Sequence, residues 1–140
     1  MISKILVALD GSPHSDKGLD YAIFLANACR ASLGIIHVIH FPQISSADHQ
    51  TVDKVTQLLE SAGKEILDKA EEEANSAGLK VERIQEFGYP ANHIVDVANE
   101  GGYDLIIMGS RGMSGIKEFL LGSISHSVSH HAKCPVLIVH

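Results

Sequence analysis

The sequence predicts an α/β protein: one doubly wound domain over residues 1–140, a five-stranded parallel sheet with helices on both faces. Three observations lead there. The hydrophobic pattern switches repeatedly between strand-like runs and helical spacing, in the order β-α-β-α-β-α-β-α-β, and such alternation builds a parallel sheet. The first, second, fourth and fifth strand runs are almost continuously apolar, as strands covered on both faces are. Finally, 140 residues with 45% apolar and 20% charged side chains make one domain able to bury a single core.

Each element has its own signal. Ile2–Leu9 is a β-branched run of strand length, closed by Asp10-Gly11-Ser12-Pro13. Those residues read as a helix start, with Ser12 as N-cap and Pro13 at the first helical position. Leu19, Ala22, Ile23, Ala26 and Cys29 follow at i, i+3, i+4 spacing and predict a helix to about Arg30. Ser32–Ile39 is the second strand and His40–Gln50 a polar connection. Val52, Val55, Leu59, Ala62, Ile66 and Ala70 mark a long amphipathic helix ending near Gly78. Leu79–Phe87 carries four charges, which places that strand at a sheet edge. Pro90 starts a short helix that Gly101-Gly102 stops. Tyr103–Met108 is a strand, Gly109–Leu121 a glycine-rich irregular stretch, Ser123–Lys133 the last helix and Cys134–Val139 the last strand. The order expected for this topology is 3-2-1-4-5.

Charge and composition exclude several functions. Eleven basic against seventeen acidic residues give a formal charge of −6, the wrong sign for sequence-independent nucleic-acid binding. No apolar run approaches the ~20 residues of a membrane span. Met1 leads directly into a strand-like run without a signal-peptide pattern, so a cytoplasmic protein is expected. Cys29 and Cys134 read as buried small hydrophobes rather than a redox pair. Protonating all nine histidines would carry the formal charge from −6 to +3, a large surface change on acidification.

A doubly wound sheet binds its ligand at the carboxyl ends of the strands, where strand order reverses. After the fourth strand come Gly109-Ser110-Arg111-Gly112 and, further on, Gly122-Ser123-Ile124-Ser125. This is neither a Walker A loop nor the G-x-G-x-x-G fingerprint. Its physics is related, because glycines let backbone N–H groups converge on an anion. A helix opening at Gly122-Ser123 adds free N–H groups and a positive dipole end. Arg111 adds a cation, and Ser123 and Ser125 add hydroxyl donors. From the residues alone this is a phosphate cradle.

At this point the chain resembles the universal stress protein family, in its nucleotide-binding branch. Gly109, Gly112, Gly122 and Ser123 have the Gly-x2-Gly-x9-Gly-Ser spacing of that family's ATP-binding motif. Ile5–Ser12, Tyr103–Gly112 and Cys134–Val139 look like its first strand and turn, its fourth strand and loop, and its last strand. The resemblance implies a Rossmann-like fold of the adenine nucleotide alpha hydrolase kind. It implies ATP as ligand, with Mg2+ or Mn2+. It puts Asp10 at the ribose, Val38 at the adenine edge through its backbone, and Gly109, Gly112, Gly122, Ser123 and Ser125 around the phosphates.

Other constellations are weaker. His126 and His130 stand at i, i+4, a spacing able to hold a metal, but no carboxylate or cysteine lies nearby in sequence, and no metal site is assigned. Asp10 and Glu118 are the acids near the proposed site in sequence, and neither has a partner that marks it as catalytic. The expectation is a nucleotide-dependent stress-response regulator without catalytic residues. A slow ATPase and an interaction module with a vestigial site are the alternatives. The last strand, Val136–Val139, is uncharged and lies at a sheet edge in the expected order. A symmetric homodimer through that strand is therefore expected, and the resemblance implies the same.

Overall fold

The apolar runs become strands β1 (Lys4–Ala8), β2 (Ser32–Ile39), β3 (Val81–Phe87), β4 (Leu105–Gly109) and β5 (Val136–Val139) in a computed structural model. The structure describes residues 1–41, 48–111 and 122–140. The strands form one sheet of order β3-β2-β1-β4-β5, and every neighbouring pair is parallel. Between them run helices α1 (Pro13–Cys29), α2 (His49–Ser76), α3 (Pro90–Glu100) and α4 (Ser123–His131). Fold class and strand order are those expected from the sequence. Among the described residues, no helix is long and apolar enough to cross a membrane.

Side chains alternate across the sheet, so each central strand feeds two cores. Ile5, Val7, Ile35 and Ile107 face α1 and α2 and pack with Leu19, Ala22, Ala26, Leu67 and Ala70. Leu6, Ala8, Ile36, Ile106 and Met108 face the other way, against Ile94, Ala98 and Val128 of α3 and α4. Ile5, Leu6 and Val7 have no exposed surface, and full burial of such side chains stabilises by about 1.5–3 kcal/mol each. This double coverage explains why β1, β2 and β4 read as unbroken apolar runs. Strand β3 has no fully buried residue and lies at the edge. Its Arg83 pairs with Asp68 at 2.6 Å and Glu71 at 3.0 Å of α2.

Helix α1 starts as predicted. The Ser12 hydroxyl accepts a hydrogen bond from the Ser15 N–H at 3.2 Å, and Pro13 occupies the first turn. Its end differs from the prediction at Cys29, which is exposed. The chain leaves the helix through Arg30 in the left-handed region, φ 55°, and the last turn extends past the core. Cys134 is half-buried just before β5 and packs against the second core. Burial pushes its thiol pKa upward. In α2 the buried stripe is Gly63, Leu67, Ala70 and Ala74. Ala62, expected inward, is exposed, and Val52, Val55 and Leu59 are half-buried.

Candidate functional site

Strands β2 and β4 lie on either side of β1, so strand order reverses there. At their carboxyl ends, on the α3/α4 face, opens a cavity of about 370 Å³. Its apolar lining includes Ile36, Val38, Met108, Pro90, Ile94 and Ile124, and its polar lining includes Asp10, Ser15, Arg111, Ser123 and Ser125, with Gly122 beside them. Apolar walls with a few polar groups suit a flat ring joined to an anionic group.

Strand β2 outruns β1. The ladder between them ends at Ala8 with Ile36, and the Leu9 N–H donates to the Ile36 carbonyl at 2.8 Å. The Gly88 N–H donates to the Ile39 carbonyl from the β3 side. Backbone groups of a parallel strand alternate in direction. The Val38 N–H and C=O therefore face the β1 side, beyond the last β1 residue in the ladder. Val38 is 9% exposed and lines the cavity.

Asp10 sits in a tightly bonded turn. Its Oδ1 accepts from the Ser12 N–H at 2.9 Å, and its own N–H donates to Ser15 Oγ at 3.4 Å. The Ser15 hydroxyl in turn donates to the Ser12 carbonyl at 3.1 Å. The second Asp10 carboxylate oxygen has no protein hydrogen bond among the described residues. The half-buried carboxylate is thus held facing the cavity rim by the capping network of α1.

Gly109 and Gly122 are bare for want of space rather than for a left-handed backbone. Neither Gly109 nor Gly122 has a positive φ. Gly109 ends β4, and a Cβ there would stand 2.7 Å from His14 Cβ and 3.0 Å from the Ser15 N. Its bareness lets the first turn of α1 press against β4. Gly122, φ −61° and ψ 155°, precedes α4 as N-cap without a side-chain hydrogen bond. A Cβ at Gly122 would meet the Ser110 carbonyl oxygen at 3.1 Å. Gly112 and Glu118 lie outside the described residues.

Helix α4 presents its first turn at the cavity. The first intrahelical bond runs from the His126 N–H to the Gly122 carbonyl at 2.9 Å. The N–H groups of Ser123, Ile124 and Ser125 therefore have no helical acceptor. Ser123 is exposed and lines the cavity. Ser125 is buried, and its hydroxyl lies 3.0 Å from both the Ser110 and Gly122 carbonyls. Its proton is directed to those carbonyls, tying α4 to the end of β4. Ser110 is also buried, and its Oγ has no hydrogen-bond partner among the described residues.

Sequence reasoning missed Ser15, His40, Pro90 and Ile94 as lining residues. Ser15 had a readable signal in the capping spacing Ser12-x-x-Ser15. His40 is exposed at the mouth, with Nδ1 3.4 Å from the Gly88 carbonyl and its ring 5.6 Å from that of Tyr89. Nothing local marks His40, Pro90 or Ile94; only closure of the sheet brings them to the site.

An adenine nucleotide would fit these residues: the apolar lining would suit a base, and the first-turn N–H groups of α4 would suit phosphate. A divalent metal would depend on the phosphates and at most a carboxylate or two. Among the described residues no group of three His, Cys, Asp or Glu side chains could hold one alone.

The model of the universal stress protein family matches residues 1–140. Universal stress protein YxiE of Bacillus subtilis (strain 168) is 41% identical over 147 aligned positions, covering 99% of each chain. Among solved structures, hypothetical protein MJ0577 is similar with a TM-score of 0.87 and 31% identity, over 99% of this chain and 96% of that one. A universal stress protein solved in complex with cAMP has a TM-score of 0.75 and 32% identity, over 99% and 97%. Sheet order, cavity and whole-length similarity agree: this chain belongs to the universal stress protein family.

Proposed function

We propose that this protein is an adenine-nucleotide-binding regulator of the cytoplasmic stress response, with ATP and Mg2+ or Mn2+ as its ligands. One observation carries the reading: a single cavity is lined both by apolar residues, Val38 among them, and by the first turn of α4. The similar universal stress protein in complex with cAMP supports the adenine base. The phosphate arm rests on α4, Arg111 and the Gly109–Gly122 spacing. Asp10 is the one carboxylate among the described lining residues, and its Oδ1 is engaged by the Ser12 N–H. We favour a sensor over an enzyme, and slow ATP hydrolysis is the second reading.

Direct binding tests the proposal. Small molecules released from freshly purified protein should include an adenine nucleotide by mass. Labelled ATP should bind the wild type and fail to bind Gly122→Val, whose side chain crowds the Ser110 carbonyl. Unchanged ATP affinity in a folded Gly122→Val protein overturns the phosphate site.

The proposed functional unit is a homodimer through β5. This edge strand has Val136, Leu137 and Ile138 half-buried, and uncovered edges seek partners. Among the described residues, Val136 and Leu137 pack against the two cores, whereas Ile138 belongs to neither. Ile138→Lys is therefore the cleaner probe, expected to shift light-scattering mass from dimer to monomer. A wild-type monomer at micromolar concentration refutes the dimer.

A further inference from the structure

The solvent face of α4 carries a feature that nucleotide binding does not use. His126 and His130 both project to solvent, with ring centroids 6.3 Å apart and planes inclined by only 15°. Neither ring makes a hydrogen bond among the described residues. His131 contrasts with them. It meets His130 edge-on at 5.1 Å, but its Nδ1 is tied to the Ser127 carbonyl at 2.8 Å.

We infer that His126 and His130 form a two-imidazole chelate for a late first-row divalent cation: Zn2+, Ni2+ or Cu2+. Two histidines one turn apart on a helix direct their nitrogens to one point in space. With metal–nitrogen bonds of 2.0–2.1 Å, a tetrahedral ion needs ring centres about 5 Å apart. The rings are stacked, so chelation takes about 1 Å of approach together with rotation about χ1 and χ2 that turns a nitrogen of each ring toward a shared ion, a change open to exposed side chains.

The donor type sets the cation class. Imidazole favours Cu2+, Ni2+ and Zn2+, whereas Mg2+ and Ca2+ require oxygen ligands. Among the described residues no third His, Cys, Asp or Glu completes a group able to hold a metal. Water fills the remaining positions, so the site is open and exchangeable rather than structural. A cation bound toward the C-terminal end of α4 also meets the negative end of the helix dipole.

The site is separate from the cavity but joined to it by covalent continuity. Gly122, Ser123, Ile124 and Ser125 line the cavity, and His126 is the next residue. An ion bridging residues 126 and 130 fixes the turn after the one that faces the nucleotide site, in a helix of only nine residues.

The test uses the untagged full chain, stripped with EDTA and titrated calorimetrically with zinc chloride. One Zn2+ per chain should bind, and magnesium chloride should give no heat. A second tethered ligand raises affinity by about 10²–10⁴, so His126→Gln and His130→Gln should each weaken Zn2+ binding by about 100-fold or more. His131→Gln should leave it intact. Both paired side chains are exposed, and unchanged circular dichroism checks that the variants fold. Zn2+ should also raise the melting temperature of the wild type and of neither paired variant. A tight site that survives either substitution, is lost in His131→Gln, or is absent from the wild type overturns the inference.

Discussion

Gly109→Ala should separate the packing role of this glycine from phosphate binding. The added Cβ would lie 2.7 Å from His14 Cβ, 2.8 Å from the His14 carbonyl carbon and 3.0 Å from the Ser15 N. Carbon atoms in contact prefer about 3.5–4.0 Å, so β4 or the first turn of α1 must yield by about 1 Å. Two of the three atoms belong to the backbone, and no rotamer change relieves them. Overpacking of this kind costs about 1–3 kcal/mol. Loss of glycine's freedom in the unfolded chain offsets about 0.4–1 kcal/mol of that. The net is a destabilisation of about 1–2 kcal/mol, or a drop in melting temperature of about 2–8 °C for a chain of this length. Thermal unfolding followed by circular dichroism reads it directly. Gly122→Ala is the matched control. Its φ of −61° suits alanine, and its nearest obstacle is one carbonyl oxygen at 3.1 Å. It should melt near the wild type while binding ATP more weakly. A Gly109→Ala protein melting at or above the wild-type temperature would refute the packing argument.

Asp10→Asn keeps an oxygen for the Ser12 N–H and removes the charge. Losing charge assistance toward the ribose costs about 1–1.5 kcal/mol, so ATP affinity should fall about tenfold with the melting temperature unchanged; equal affinity would leave Asp10 a turn residue only. Asp104 Oδ2 accepts from the Ser3 N–H, the Ser3 hydroxyl and the Lys4 N–H, and those bonds hold its carboxyl below the ordinary value of 3.8. A lowered folded-state value stabilises above the ordinary value and is lost as pH falls through the folded one. Melting temperature should therefore fall less for Asp104→Asn than for the wild type between about pH 5 and pH 2, and parallel curves would exclude the contribution. Exposed Cys29 should react first with a thiol reagent at about pH 8, ahead of half-buried Cys134 with its raised pKa; Cys29→Ser should remove the fast phase.

Elements set by local rules were legible in the sequence. Ser12 and Pro13 announce α1 because capping depends on neighbours three residues apart. The apolar runs at Ile5–Ala8, Leu33–Ile39 and Leu105–Met108 announce strands covered on both faces. Where the reading failed, the missing information was three-dimensional. Periodicity places Cys29 on the buried stripe of α1, but nothing local says where the sheet stops supporting the helix. The same holds in α2, where Gly63 rather than Ala62 meets the sheet. A glycine's side-chain absence is visible in sequence, but its purpose is not: Gly109 admits α1. Ser125 reads as a donor for phosphate, while its hydroxyl faces two carbonyls fixed by the β4–α4 junction. His40, Pro90 and Ile94 reach the cavity through chain crossings that no local pattern encodes.

The overhang of β2 beyond β1 has a consequence for genetics. On the proposed reading, the wall toward the base is main chain at Val38, and every amino acid except proline presents the same N–H and C=O. Alanine scanning would pass over this position, and natural drift among strand-forming side chains would leave no trace of selection for binding. The contact surface inferred from loss-of-function screens would be smaller than the real one. It would be weighted toward Asp10 and the residues that hold the strands in register. Replacing the amide at position 38 by an ester, which removes the N–H and preserves the side chain, is the kind of edit that makes this wall visible.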